Sequence, residues 1–279
     1  MNVIGVVGAG VMGRGITQAL ISSGFEVLLY DENDANTHKS IHIMERECRM
    51  LHMTRKIISD WVELQSKVNV VTNLSGLEDC DYIIECITEN INIKKTFYQK
   101  IDRIAKEESI FLSNTSCISI TKIASFTKRP DKIIGTHFMN PVYLINAVEV
   151  IRGSFTSNYT ILKTQKLLKS MGKKEIIVND QPGFVSNKIS HLMINEASFI
   201  ILDQVADIES VDAIFKQCYG HKMGPLETAD LIGIDTVVNS LQVLYDSYQD
   251  NKYLCCPLLK KMVDEGLLGR KSGKGFYSY

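Results

Sequence analysis

The chain opens on an unbroken apolar run at residues 3–7, turns through a glycine-rich segment, and resumes with Ile16, Leu20 and Ile21 at helical spacing. Strand, turn and helix are predicted in that order. A second strand is expected at residues 25–30, and strand-like runs recur at 68–71, 82–87, 110–113 and 133–138, separated by helix-like stretches at 93–106 and 118–126. This alternation predicts an α/β fold with a doubly wound parallel sheet, because parallel neighbours need a crossover helix between them. A last strand at 175–178 runs into Asn179, Asp180, Gln181, Pro182 and Gly183, a turn-rich junction. The expected division is therefore a sheet domain over residues 1–181 and a smaller all-α domain over residues 182–279. In the latter, Phe184, Val185, Ile189, Leu192, Met193, Ile200 and Ile201 give one long helix a wide apolar face, for which a second subunit is the expected cover.

The first turn carries the most specific chemistry. It reads Gly8, Ala9, Gly10, Val11, Met12, Gly13 between a strand and a helix. Glycines there permit a tight turn, let the backbone approach a pyrophosphate, and allow the helix to pack close to the strand, while the helix N-terminus offers unpaired N–H groups. Alone, a GxGxxG is weak evidence. Asp31 ends the next strand about 20 residues on, where a dinucleotide-binding unit needs a carboxylate for the ribose, and together these identify a Rossmann domain. The bland alternative for Asp31 is a solvated acid at a strand end. As a ribose ligand it favours NAD, since it would repel the 2′-phosphate of NADP.

Residues 135–149, GTHFMNPVYLINAVE, place His137 and Glu149 on two short strand-like runs joined by an irregular loop containing Asn140 and Pro141. A carboxylate that accepts the proton of one imidazole nitrogen fixes the tautomer and leaves the other nitrogen to take a proton from a substrate. From this stretch alone, a buried structural histidine is the competing reading. Between residues 33 and 66, Ile41, Met44, Cys48 and Leu51 recur at helical spacing, with His42, Arg46, Arg49 and Lys56 on another stripe. That basic stripe is either a solvated face or a cover over a phosphate-bearing substrate handle.

Composition narrows the classes. With 279 residues, 45% of them hydrophobic, and a formal net charge of -1, the chain has no global attraction for nucleic acid or anionic membrane. No apolar run reaches the roughly 18 residues of a membrane helix, and no secretion signal is evident. Seven cysteines, an odd number without paired CxxC spacing, suit a reducing cytoplasm. No metal is expected, because His38, His42, His52, His191 and His221 form no convergent ligand pattern.

The segments GAGVMG, Glu89-Asn90, Asn114-Thr115-Ser116, GTHFMNPV, AVEVI, PGFVSN, MGPLETADLIGID and GRKSGKGFY resemble, in order and nearly end to end, the 3-hydroxyacyl-CoA dehydrogenase family, including bacterial 3-hydroxybutyryl-CoA dehydrogenases. The resemblance implies NAD-linked oxidation of a 3-hydroxyacyl thioester, a catalytic cleft between the Rossmann domain and a helical domain, and a homodimer. It makes His137 the general base and Glu149 its orienting acid. Ser116 and Asn187 match groups that hold the substrate oxygen, Asn140 helps shape the pocket, and Glu89 matches a residue near the nicotinamide, with Asn114 beside it on the cofactor side. A different class of reading, a dinucleotide-binding protein without turnover, conflicts with the presence of Ser116, His137, Glu149 and Asn187.

The chain also departs from the family. Where ordinary members read PVPVMKLVEV, this chain has PVYLINAVEV, so Tyr143 replaces a proline and Asn146 a lysine. SNKISHLMINEA, MGPLETADLIGID and YQDNKYLCCPLL look more like a polyketide-pathway branch that oxidises glyceryl groups on acyl carrier protein towards hydroxymalonyl or methoxymalonyl extender units. Tyr143 and Asn146 are accordingly the expected substrate-selecting residues. The thioester carrier implied is acyl carrier protein or, alternatively, CoA as in fatty acid or butyrate metabolism.

Overall fold

A computed structural model describes residues 3–53 and 60–279; Arg55 and Lys56, which extend the basic segment in the sequence, lie outside the described residues. The chain forms two compact units, Met1–Asp180 and Gln181–Tyr279.

In the first unit, β1 (Val3–Val7), α1 (Val11–Ser22), β2 (Glu26–Tyr30) and α2 (Asp34–Met53) are followed by α3 (Trp61–Leu64) and β3 (Val68–Val70). Next come β4 (Tyr82–Glu85), α4 (Ile91–Ile104), β5 (Ile110–Ser113), α5 (Ile120–Ala124), β6 (Ile133–Phe138), β7 (Ala147–Arg152), α6 (Asn158–Ser170) and β8 (Lys174–Asn179). The strands make one eight-stranded sheet in the order β3-β2-β1-β4-β5-β6-β7-β8. Every residue of β4, β5 and β6 is buried, which is why these strands read as continuous apolar runs rather than alternating ones. The α/β Rossmann class holds, but the sheet is mixed and not uniformly parallel. β6 and β7 are antiparallel, while β7 and β8 are parallel to each other. The reason is chain length: the loop at residues 139–146 is too short for the crossover that a parallel pair requires.

The amphipathic segment expected after Asp31 is α2. Met44, Cys48 and Leu51 are buried on it with Thr37 and Ser40, whereas His42, Arg46 and Arg49 are exposed.

The second unit contains α7 (Ser186–Leu202), α8 (Ile208–Ala213), α9 (Pro225–Ile232), α10 (Ile234–Tyr248) and α11 (Pro257–Asp264). The long helix begins later than the apolar pattern suggests. Gly183 and Phe184 adopt φ values of 79° and 51°, so the chain turns there, with Phe184 buried, before the helix starts. The face that α7 buries includes His191, Ile194, Asn195 and Ala197, while Val185 and Ile189 point outward. Asn195 bridges to a later segment, donating to the Leu254 carbonyl at 2.9 Å and accepting from Cys256 N at 2.8 Å. Asp230 ties down the C-terminal GKGFY stretch by accepting from the backbone of Phe276 and Tyr277, each at 2.9 Å. Among the described residues, no helix is long and apolar enough to cross a membrane.

Candidate active site

At the carboxyl end of β1 the chain reverses through Gly8, whose φ of 99° disfavours any side chain and whose N–H reaches Tyr30 O at 2.8 Å. A Cβ on Gly13 would sit 1.7 Å from Gly8 O, so α1 can approach the turn only because position 13 has no side chain. Gly10 differs: a Cβ there meets nothing within 4 Å. It faces open space at the start of α1, beside Val11, which is exposed; Met12 turns inward against the core. Asp31, at the end of β2, accepts from Ala9 N at 2.7 Å through Oδ2, and from Asn33 N and Asn36 Nδ2 at 3.0 Å through Oδ1. A helix N-terminus with an open glycine beside it and a carboxylate fixed at the next strand end has the donor set and the room that a dinucleotide needs. The chain's residues fit NAD.

His137 and Glu149 are opposite one another in the β6–β7 ladder. His137 Nδ1 lies 3.1 Å from Glu149 Oε2, and both residues are more than nine-tenths buried. In an antiparallel pair directly opposed residues project to the same face, so the register alone aims the carboxylate at the ring. Asn114, just past β5, accepts from Phe138 N at 2.9 Å and thereby joins the end of β5 to the end of β6 next to His137.

Ser116 is half-buried in a turn organised by Glu89. One carboxylate oxygen of Glu89 accepts from Thr115 Oγ1 at 2.5 Å, Ser116 N at 2.9 Å and Cys117 N at 3.0 Å. Behind it lies a buried network: Lys94 Nζ donates to Glu85 at 2.5 Å and sits 3.4 Å from Glu89, and Ser113 Oγ donates to Glu85 at 2.7 Å. Desolvation works against ionisation of Glu89, yet Lys94 and the donors of the 115–117 turn hold its carboxyl below the usual range. Lys94 shows the matching behaviour, since burial favours its neutral form but Glu85 and Glu89 outweigh that and hold its ammonium above the usual lysine value. Sequence reasoning singled out Glu89, named Thr115 within a motif without giving it a role, and missed Glu85 and Lys94. A signal was present: a glutamate ends an otherwise apolar strand, and a lysine falls on the inward stripe of α4 with Phe97, Tyr98 and Ile101.

The loop after β6 places its residues unequally. Asn140, Pro141, Val142 and Tyr143 line a pocket of about 230 Å³ whose other walls are α1, through Arg14 and Gln18, and α2, through Glu47 and Met50. Arg14 Nε is 3.4 Å from Glu47 across it. Asn146 is exposed and does not line this pocket; its carbonyl accepts from Lys174 N at 2.7 Å. Asn187 belongs to the second unit, half-buried in the first turn of α7. The turn that starts this helix is fixed by Gly183, whose carbonyl accepts from Lys188 N at 3.0 Å.

Two family models match the chain: the 3-hydroxyacyl-CoA dehydrogenase NAD binding domain over residues 3–181 and the 3-hydroxyacyl-CoA dehydrogenase C-terminal domain over residues 183–279. Similar proteins include a probable 3-hydroxybutyryl-CoA dehydrogenase of Deinococcus radiodurans, 42% identical over 275 residues that cover 99% of either chain. A 3-hydroxybutyryl-CoA dehydrogenase of Clostridioides difficile is 43% identical over 277 residues, again covering 99% of each. Among solved structures, the (S)-3-hydroxybutyryl-CoA dehydrogenase of Ralstonia eutropha superposes with a TM-score of 0.93 at 40% identity, over 100% of this chain and 99% of that one.

Proposed function

The chain belongs to the 3-hydroxyacyl-CoA dehydrogenase family, and from that premise we propose that it oxidises the 3-hydroxyl of a short 3-hydroxyacyl thioester to the 3-oxo compound. It is an NAD-dependent oxidoreductase. The observation that carries the reading is the buried His137–Glu149 pair, with Nδ1 turned to the carboxylate at 3.1 Å.

The residues divide the work as follows. The turn at Gly8, Gly10 and Gly13, with Val11 and Met12 in the first turn of α1, would hold the pyrophosphate, and Asp31 would take the ribose hydroxyls. NAD held there would supply the acceptor for the hydride that leaves the carbinol carbon. His137 removes the hydroxyl proton through Nε2, while its Nδ1–H is donated to Glu149, which fixes the tautomer and stabilises the imidazolium that forms. Ser116 hydrogen-bonds the substrate oxygen as it becomes a carbonyl, supported by the Glu89 turn, with Asn114 bracing the strand ends beside it. For Asn187 a second bond to that oxygen rests on the PGFVSN motif. The exposed Arg46 of α2 serves a phosphate-bearing thioester carrier, whereas Arg49 is paired with Glu45 at 2.7 Å.

CoA is the carrier best supported, since relatives that match over their full length bear the name 3-hydroxybutyryl-CoA dehydrogenase. A glyceryl group on acyl carrier protein is the second reading. It is favoured by the departures from the family's sequence at Tyr143 and Asn146, of which Tyr143 lines the pocket between α1, α2 and the loop after β6. Side-by-side turnover of 3-hydroxybutyryl-CoA and a glyceryl-loaded carrier protein with NAD decides between them; preference for the CoA ester removes the second reading, and failure with both removes the dehydrogenase assignment.

A further inference from the structure

Lys173 is an unusual lysine. It is 7% exposed, and among the described residues it makes no ion pair. Its ammonium instead donates to two backbone carbonyls, those of Val142 and, at 2.8 Å, Ile145. Burial pushes its pKa down, in keeping with a cation that has dipoles but no carboxylate for company.

Its placement follows from how α6 ends. Gly172, with a φ of 67°, closes the helix, and Lys173 N reaches back to Leu168 O at 2.9 Å. This fixes the direction in which the Lys173 side chain leaves the backbone. The next residue enters β8, where Lys174 pairs with Ala147 and its N–H takes the Asn146 carbonyl at 2.7 Å. Consecutive residues therefore hold three carbonyls of the loop between His137 and Glu149. Pro141 O, inside that loop, accepts from Leu144 N at 3.0 Å, so the clamp acts on an already closed turn.

We propose that Lys173 is a positioning residue for the substrate: by clamping the carbonyls of Val142 and Ile145, it sets the shape of the pocket wall formed by Asn140, Pro141, Val142 and Tyr143. The inference rests on the dehydrogenase reading for its substrate and on geometry alone for the clamp. The two carbonyls that Lys173 holds belong to the loop and not to β6 or β7, so its loss acts on fit while the β6–β7 register keeps the proton acceptor in place. A merely structural lysine would lower stability without separating one Michaelis constant from another.

The test is Lys173→Met in the full chain, with two readouts. In the protein without ligands, hydrogen exchange of the peptide spanning residues 139–146 is expected to quicken about fivefold or more, while that of β4 and β5 stays unchanged. In steady-state kinetics, KM for the acyl thioester is expected to rise about tenfold, with kcat and KM for NAD within about threefold of wild type. Lys173→Arg, which keeps a cation able to reach both carbonyls, should recover part of the change. Lys173→Gln, uncharged but still a donor, supplies the same comparison if the methionine variant does not fold. Unaltered exchange overturns the clamp. Quickened exchange with an unaltered thioester KM, or with both KM values and kcat changed together, overturns its role in substrate fit. A wild-type protein inert toward thioesters defeats the dehydrogenase reading and the substrate role with it, and is distinguishable because the exchange difference would remain.

Discussion

Glu149 faces His137 across the β6–β7 ladder, one residue directly opposite the other, and its carboxylate lies 3.1 Å from the ring nitrogen on that side. Strand register, rather than a flexible loop, holds the pair. His137→Gln is expected to lower kcat by about 100- to 10,000-fold, or roughly 3 to 5 kcal/mol of barrier. Glu149→Gln, which loses the tautomer-fixing charge, should cost about 100-fold or more. NAD affinity, measured by titration, should be nearly unchanged in either variant; an unaltered rate would refute the base assignment.

The buried Lys94 holds two carboxylates and, through Glu89, the turn that carries Ser116. Lys94→Met leaves Glu85 buried without its counter-ion and is expected to destabilise the protein by about 3 to 5 kcal/mol, read from denaturant unfolding.

The same network has a pH signature. Although desolvation opposes ionisation of Glu89, Lys94 and the turn donors keep its folded pKa below the ordinary value of 4.5. Its stabilisation is thus present above that value and is lost as pH falls through the depressed one. Melting temperature should drop on acidification below the ordinary carboxylate range, and Glu89→Gln should flatten that drop; an identical acid limb in the variant would count against the network.

Two glycines of the first turn should behave oppositely. A Cβ on Gly10 meets nothing within 4 Å, so Gly10→Ala is expected to keep its fold while NAD binding weakens, because the added methyl occupies the space left for the pyrophosphate. Gly13→Ala, whose Cβ would lie 1.7 Å from Gly8 O, should lose stability as well. Calorimetric melting beside NAD titration separates the two; equal melting losses would contradict the open-space argument.

Val185 and Ile189 expose apolar side chains at the start of α7, the segment for which a second subunit is the expected cover. Ile189→Asp should shift the mass measured by light scattering from dimer to monomer. A wild-type monomer at all concentrations would dispose of that expectation.

How much could be read from the chain depended on the range of the interaction. Residues 3–31 carry their meaning locally: an apolar strand, glycines that sterics demand, a helix and a carboxylate all lie within one βαβ unit, so class and cofactor were legible there. The fold's alternation was equally legible, because both faces of β4, β5 and β6 are buried and their runs are mostly apolar, with polar residues gathered towards their carboxyl ends at Glu85, Ser113, Thr136 and His137. The direction of β7 was not. Its apolar pattern suits a parallel or an antiparallel neighbour alike, and only the short loop after β6, taken with the pairing of β7 and β8, decides it.

By itself, then, the sequence determined the α/β class, the dinucleotide cradle and the family, since each depends on short-range sterics or on the order of motifs. Tertiary structure alone decided what shares a site. It separated Tyr143, which lines the pocket, from Asn146, which does not, although they are neighbours in the chain. It also brought Lys94 to Glu85 and Lys173 to the loop after His137. Helical periodicity marks Lys94 as inward-facing but does not name its carboxylate, and for Lys173, about 30 residues from the carbonyls it holds, no local pattern records the partners.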